Sequence, residues 1–216
     1  KPNPIVGCVL VRDGQVLGEG WHQRAGGPHA EIEALNAAGD AAKGAIAYVT
    51  LEPCAHTGRT GPCADALVEA GVAEVVAAMR DPFPKVDGAG FEKLAAAGIK
   101  LRSGLMETQA RELNRAFFSR IERGRPWLRV KLGISLDGRT ALANGESQWI
   151  TSPEAREDVH RWRARCGALL TGAGTVLADD PHLTVRLQDD TPFVPPLRVV
   201  LDPGLATVAR GNVRQG

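Results

Sequence analysis

The sequence lacks the marks of a membrane or nucleic-acid-binding protein. No apolar run approaches the roughly 18 residues that span a bilayer, and Lys1-Pro2-Asn3-Pro4 does not begin a signal peptide. Aromatics are only 5% of residues, with a single Tyr, so bases would find few stacking platforms. Charge of one sign is also missing: 26 Lys and Arg face 25 Asp and Glu, a net +1 with no electrostatic footprint for a long polyanion. With 44% hydrophobic and 24% charged residues, the composition is that of a folded globular chain, which excludes intrinsic disorder. These absences predict a cytoplasmic protein with a small-molecule substrate and neither a membrane nor a nucleic-acid partner.

Cysteine is scarce as well. The four thiols, Cys8, Cys54, Cys63 and Cys166, read in a reducing compartment as buried side chains or metal ligands rather than disulfides. Cys8 lies in the apolar run Ile5-Val6-Gly7-Cys8-Val9-Leu10-Val11 and Cys166 follows a helix-like stretch, so both are expected to be structural. An initiator Met is absent too, and the 216 residues suffice for one complete domain and part of another. The chain reads as part of a longer protein.

Periodicity and turn residues supply the elements. Residues 5–11 and 16–21 form a predicted hairpin around Arg12-Asp13-Gly14, because Asp-Gly accepts the positive φ angles of a tight turn. A helix is expected from His29 to Gly39, a strand over 45–51, a helix over 63–70 stopped by Gly71, and a strand over 72–79. A short helix over 90–97 and a strand over 99–101 complete an α/β sandwich with helices covering a mixed sheet. A helix over 106–122, with Leu113, Ala116, Phe117 and Ile121 on one face, ends at Gly124-Arg125-Pro126, where the domain boundary is placed. Beyond it, strands are expected over 127–134 and from 139, then a helix capped by Ser152 with Pro153 at its first position, and strands over 168–171 and 198–201.

One constellation carries chemistry. His29-Ala30-Glu31, Pro53-Cys54 and Cys63 provide an imidazole, two sulfurs and a spare carboxylate, the parts of a zinc-activated water with its own proton shuttle. The eight residues between Cys54 and Cys63 stretch the usual two-residue gap. Side chains in the first turn of a helix converge on a point beyond its N-terminus, so helix starts at His29 and Cys63 can share one metal. The partial positive charge at the second start would also favour Cys63 as thiolate. Three ligands leave the fourth tetrahedral position for water, whose pKa falls from 15.7 to about 7 on zinc, and Glu31 is the candidate acid and base. The alternative is a closed structural site with His56 as fourth ligand.

Several motifs together carry a family resemblance. Pro2-Asn3-Pro4-x-Val6-Gly7, His29-Ala30-Glu31, the run from Thr50-Leu51-Glu52-Pro53-Cys54 to Pro62-Cys63, and Lys131-Leu132-Gly133-x-Ser135-Leu136-Asp137-Gly138-Arg139-Thr140-Ala141 resemble the RibD family of bifunctional riboflavin-biosynthesis proteins. The stretched cysteine spacing is normal there. The resemblance implies a cytidine-deaminase-like three-layer sandwich over residues 1–124 and a partial dihydrofolate-reductase-like domain over 125–216. It implies zinc-dependent deamination of 2,5-diamino-6-ribosylamino-4(3H)-pyrimidinone 5′-phosphate, then NADPH-dependent reduction of the ribosyl to the ribityl chain, in a homo-oligomer. Zinc would be held by His29, Cys54 and Cys63, with Glu31 catalytic. Asn3, His22, His56, Arg59 and Asp81 match residues that frame the pyrimidine and sugar phosphate, and Arg59 offers phosphate a fork of donors. Phe83 departs from the family's usual Asn.

For the second domain the resemblance implies nicotinamide nucleotide contacts at Gly133, Trp149, Thr175 and Asp179. Substrate contacts would come from Ser147, Arg163, Leu183 and Arg186. Thr171-Gly172-Ala173-Gly174-Thr175 is not a dinucleotide-fold fingerprint, because Leu177 stands where its third Gly belongs. A reductase domain of this family is about twice as long as the segment after residue 125. Two other readings stand beside this one: a nucleoside or tRNA deaminase, disfavoured by the neutral charge, the long cysteine loop and the second domain, and a non-catalytic zinc-stabilised module.

Overall fold

The hairpin at the start of the chain shows how local chemistry places the later site. β1 (Gly7–Arg12) and β2 (Gln15–Trp21) pair antiparallel, and Asp13 and Gly14 turn between them with φ of 52° and 76°. On the inward face of β2 stand Gly18 and Gly20. A Cβ at Gly20 would lie 2.3 Å from the carbonyl oxygen of Ala30, and one at Gly18 would lie 2.4 Å from that of Ala34. Two missing side chains thus let α1 (Ala30–Ala38) lie against the strand. The position of His29 and Glu31 follows from that approach.

The structure is a computed structural model describing residues 3–58, 60–208 and 211–215. It divides into two units, Lys1–Arg129 and Val130–Gly216. In the first, β3 (Ile46–Val49), β4 (Glu74–Ala77) and β5 (Lys100–Ser103) extend the hairpin into a mixed sheet ordered β2-β1-β3-β4-β5, antiparallel as far as β3 and parallel beyond it. α2 (Cys63–Glu69) and α3 (Ala89–Ala96) join α1 over one face of this sheet. Cys8 and Leu10 of β1, Ala47 and Val49 of β3 and Val75 and Ala77 of β4 meet Ala30, Ala34, Ala64, Leu67 and Leu94 in one core. Cys8 is a packed thiol there, held well above the usual range by burial first and by Glu31 second.

The helix expected over 106–122 is two helices, α4 (Glu107–Leu113) and α5 (Arg115–Arg123). Buried Asn114 breaks it: its Oδ1 accepts from the Ile5 backbone N–H at 2.7 Å and its Nδ2 donates to the Ile5 carbonyl at 2.8 Å. The break also turns the expected face. Leu113 and Ala116 are exposed, whereas Ala110 and Phe118 pack on Leu51, Ala78 and Met79.

In the second unit, Ser152 caps α6 (Pro153–Arg165) by accepting from the backbone N–H of Ala155 at 3.2 Å. β6 (Ala168–Gly172) and β7 (Leu197–Leu201) pair in parallel, and α7 (Ala173–Asp179) starts where β6 ends. Two expected strands are absent among the described residues. Residues 127–134 make no ladder, and Leu128, Val130 and Leu132 are exposed. Alternation alone does not make a strand without a neighbour to pair with. Residues 139–142 lie instead in tight turns closed by Ser135 N–H to Arg139 O and Leu142 N–H to Glu146 O, with Gly138 and Gly145 at φ of 81° and 87°. Among the described residues no helix is long and apolar enough to cross a membrane.

Candidate active site

His29 is the N-cap of α1 and Cys63 the first residue of α2, so two helix starts converge as the spacing predicts. Cys54 comes from the loop after β3. Its position is fixed by its carbonyl, which accepts from Ala64 N–H at 3.0 Å, and by its sulfur, which accepts from Cys63 N–H at 3.4 Å. His29 Nδ1 lies 3.2 Å from Cys63 Sγ and 3.6 Å from Cys54 Sγ. Metal–ligand bonds of about 2.3 Å to sulfur and 2.0 Å to nitrogen give a tetrahedral N···S edge of roughly 3.5 Å. The donor set fits zinc, with all three ligand atoms within 4.8 Å of one another. His56 is not part of this cluster, so the closed Cys2His2 alternative is not formed.

Cys54 is the favoured anion, because Cys63 S–H and then His29 and the Cys63 backbone donate to it. The Cys63 thiol is pushed up in consequence, by that hydrogen bond first and by burial second. His29 is shifted upward, chiefly by its hydrogen bond to Cys54. Glu31, in the first turn of α1 and 3% exposed, is pushed up to about 7, mainly by burial.

These groups open on a cavity of about 450 Å³. Asn3, His22, His56 and Asp81 line it. Asn3 Nδ2 lies 3.1 Å from His22 Nε2, whose Nδ1 lies 2.9 Å from the Pro28 carbonyl, which fixes the His22 ring. His56 Nδ1 is buried and has no partner among the described residues. Asp81 accepts from Phe83 N–H at 2.8 Å and is pushed up to about 6 by burial, with Glu52 adding. Phe83 places a ring on the cavity, 6.3 Å from that of His56. Arg59 lies outside the described residues.

Three residues were missed in the sequence. Buried Glu52 accepts from the backbone N–H groups of Asp81, Gly88, Gly90 and Phe91, tying the loop after β4 to the cysteine loop. Phe117 and Arg120 of α5 line the cavity. Glu52 sat inside a quoted motif, but nothing local in the sequence signals four long-range donors. Phe117 read as part of an apolar helix face, and nothing in the sequence singled out Arg120.

The second unit joins part of its expected set. Arg163 Nη1 donates to the Thr184 carbonyl at 3.1 Å and Arg186 Nη1 to its hydroxyl at 2.9 Å. Arg163 is shifted downward by burial and by Arg186. His160 Nδ1 accepts from Arg186 N–H at 3.1 Å. Leu183 adjoins them with φ of 52°. Thr175 lies within the first turn of α7 and Asp179 is its last residue. Gly133, Ser147 and Trp149 are in loops, with the Arg156 guanidinium 4.2 Å from the exposed Trp149 ring. Among the described residues no hydrogen bond ties Gly133, Ser147, Trp149 or Asp179 to the arginine pair.

Comparison with known proteins bears on both units. Residues 1–79 match the cytidine and deoxycytidylate deaminase zinc-binding region, and residues 126–215 match the RibD C-terminal domain. The chain is 57% identical to the riboflavin biosynthesis protein RibD of Escherichia coli strain K12, over 93% of this chain and 58% of that protein. Among solved structures, one form of Acinetobacter baumannii RibD is 53% identical with a TM-score of 0.87, covering 94% of this chain and 58% of that one. A Thermotoga maritima diaminohydroxyphosphoribosylaminopyrimidine deaminase/5-amino-6-(5-phosphoribosylamino)uracil reductase is 41% identical with a TM-score of 0.91, covering 99% of this chain and 61% of that one. The matches run across both units while leaving about two fifths of each relative uncovered, and on them the chain belongs to the RibD family of riboflavin biosynthesis proteins.

Proposed function

We propose that residues 1–124 catalyse hydrolytic deamination of 2,5-diamino-6-ribosylamino-4(3H)-pyrimidinone 5′-phosphate. The observation that carries this reading is a buried carboxylate, Glu31, beside a three-donor cluster of His29, Cys54 and Cys63 that opens on a cavity. His29, Cys54 and Cys63 would hold a zinc ion, whose Lewis acidity would make water a nucleophile at neutral pH. Glu31 takes one water proton and gives it to the ring nitrogen as the C–O bond forms, then takes the second from the new hydroxyl and gives it to the departing amine as the C–N bond breaks, so a carbonyl remains and ammonia leaves. Burial, which favours the protonated form of Glu31, helps this carboxyl take up the proton before handing it on. His56 Nδ1, buried without a partner, offers a hydrogen bond to the base. Asn3, His22 and Asp81 frame the ring, and Arg59 and the glycines beside it take the sugar phosphate.

Residues 125–216 contribute to the NADPH-dependent reduction that follows. Arg163 and Arg186, converging on Thr184, suit the 5′-phosphate that the intermediate keeps. Ser147 and Leu183 complete the substrate side, and Gly133, Trp149, Thr175 and Asp179 the nucleotide side. The whole protein is a cytoplasmic homo-oligomer, which sedimentation tests.

The test is a coupled assay in which ammonia release and NADPH consumption are followed separately. Glu31→Gln should lower ammonia release by at least about 10²-fold while the zinc content stays at one per chain. Undiminished release in that variant would remove Glu31 from its role. Turnover of cytidine or tRNA, with none of the phosphorylated pyrimidinone, would overturn the substrate.

A further inference from the structure

We infer that Arg120 of α5 is a substrate-recognising residue of the deaminase cavity, where it adds a second contact to the 5′-phosphate. The inference rests on the deamination reading above and adds a contact from a helix that lies outside every motif quoted for that reaction.

Three observations converge on it. Arg120 lines the cavity together with the acidic side chains Glu31, Glu52 and Asp81. A phosphate monoester carries about −1.5 to −2 charges near neutral pH, and such an anion needs a cation to offset that surround. Second, the Arg120 guanidinium has no ion pair or hydrogen bond among the described residues. Its neighbours are engaged, Arg111 with Glu122 at 2.5 Å and Arg115 with Glu112 at 2.5 Å. Third, Phe117 lies one helical turn before Arg120, and both line the cavity, so this side of α5 is part of its wall. An apolar ring followed by a forked donor matches a ligand that is a heterocycle at one end and a phosphate at the other.

The exposure of Arg120 makes a solvated helix charge the competing explanation, and the experiment separates the two. The KM and kcat for ammonia release are measured on the 5′-phosphorylated pyrimidinone and on its phosphatase-treated form, for the wild-type chain, Arg120→Met and Arg120→Lys. Arg120→Met should raise KM for the phosphorylated compound about 10-fold and leave kcat and the dephosphorylated KM unchanged, while Arg120→Lys recovers part of the loss. Equal effects on both compounds, or none, would overturn the inference. Inorganic phosphate supplies a readout that needs no turnover: it should slow amide exchange over residues 115–124 in the wild-type chain and not in Arg120→Met. Slowed exchange without ammonia release from either compound would keep the anion contact and sink the deamination reading instead.

Discussion

Asp81 shows how burial and charge act together on a single side chain. It is 6% exposed, its carboxyl is held up near 6 first by desolvation and then by Glu52, and it accepts from the Phe83 backbone. A carboxyl raised above its unfolded value holds a proton in the folded chain that the unfolded chain has lost. Folding stability from this group is therefore intact below about pH 4 and falls as pH rises toward 6 and beyond. Asp81→Asn keeps an acceptor for Phe83 and removes the titration. Its melting temperature relative to wild type should rise between pH 4.5 and 7.5, by about 3–6 °C, in thermal denaturation at several pH values. A difference independent of pH would show that burial does not control this carboxyl. At this scale the zinc donors and Glu31 were legible because metal chemistry fixes residue types and short spacings. Glu52 and Arg120 were not, since each acquires its role from chain segments brought to it only by folding.

Elements were legible where the sequence names their ends. Asp13-Gly14 for the hairpin, Gly39 after α1 and Ser152-Pro153 before α6 are local instructions, and the structure follows them. Asn114 carries no such mark: only its two hydrogen bonds to Ile5, across 109 residues, split the helix. The alternation over 127–134 misled for a related reason, because strand formation belongs to a pair of segments and not to one. The glycines of β2 are the element-scale feature on which the site depends. Gly20→Ala would drive a Cβ to 2.3 Å from the Ala30 carbonyl and 2.4 Å from the Ala34 backbone N, both part of α1, which does not yield as a flexible side chain would. The substitution should destabilise the first unit by about 1–3 kcal/mol. Displacing the start of α1 should also weaken zinc retention in a chelator competition. Gly14→Asn, in a turn with nothing within 4 Å of its Cβ position, should leave zinc retention unchanged; loss in both would mean that the contact with α1 is not the cause.

Over the whole molecule, the groups proposed to hold ligands sort by unit. His29, Cys54, Cys63 and the cavity all lie within Lys1–Arg129, and the Arg163, Thr184 and Arg186 cluster lies within Val130–Gly216. A ligand stabilises the state that binds it by RT ln(1 + [L]/Kd), about 4 kcal/mol at a thousandfold excess over Kd, and this is felt where opening must break the site. Zinc held by His29, Cys54 and Cys63 would tie the start of α1 to the cysteine loop and the start of α2, so its removal should free those three segments together. Amide exchange after chelation should therefore quicken over residues 29–34 and 54–67, by up to about 10³-fold, and stay unchanged over 153–186. NADPH should slow exchange over 173–186 and leave 29–67 untouched. Acceleration over 153–186 on chelation would mean that the two units open as one, and the deaminase and reductase roles could then not be assigned to separately stable halves.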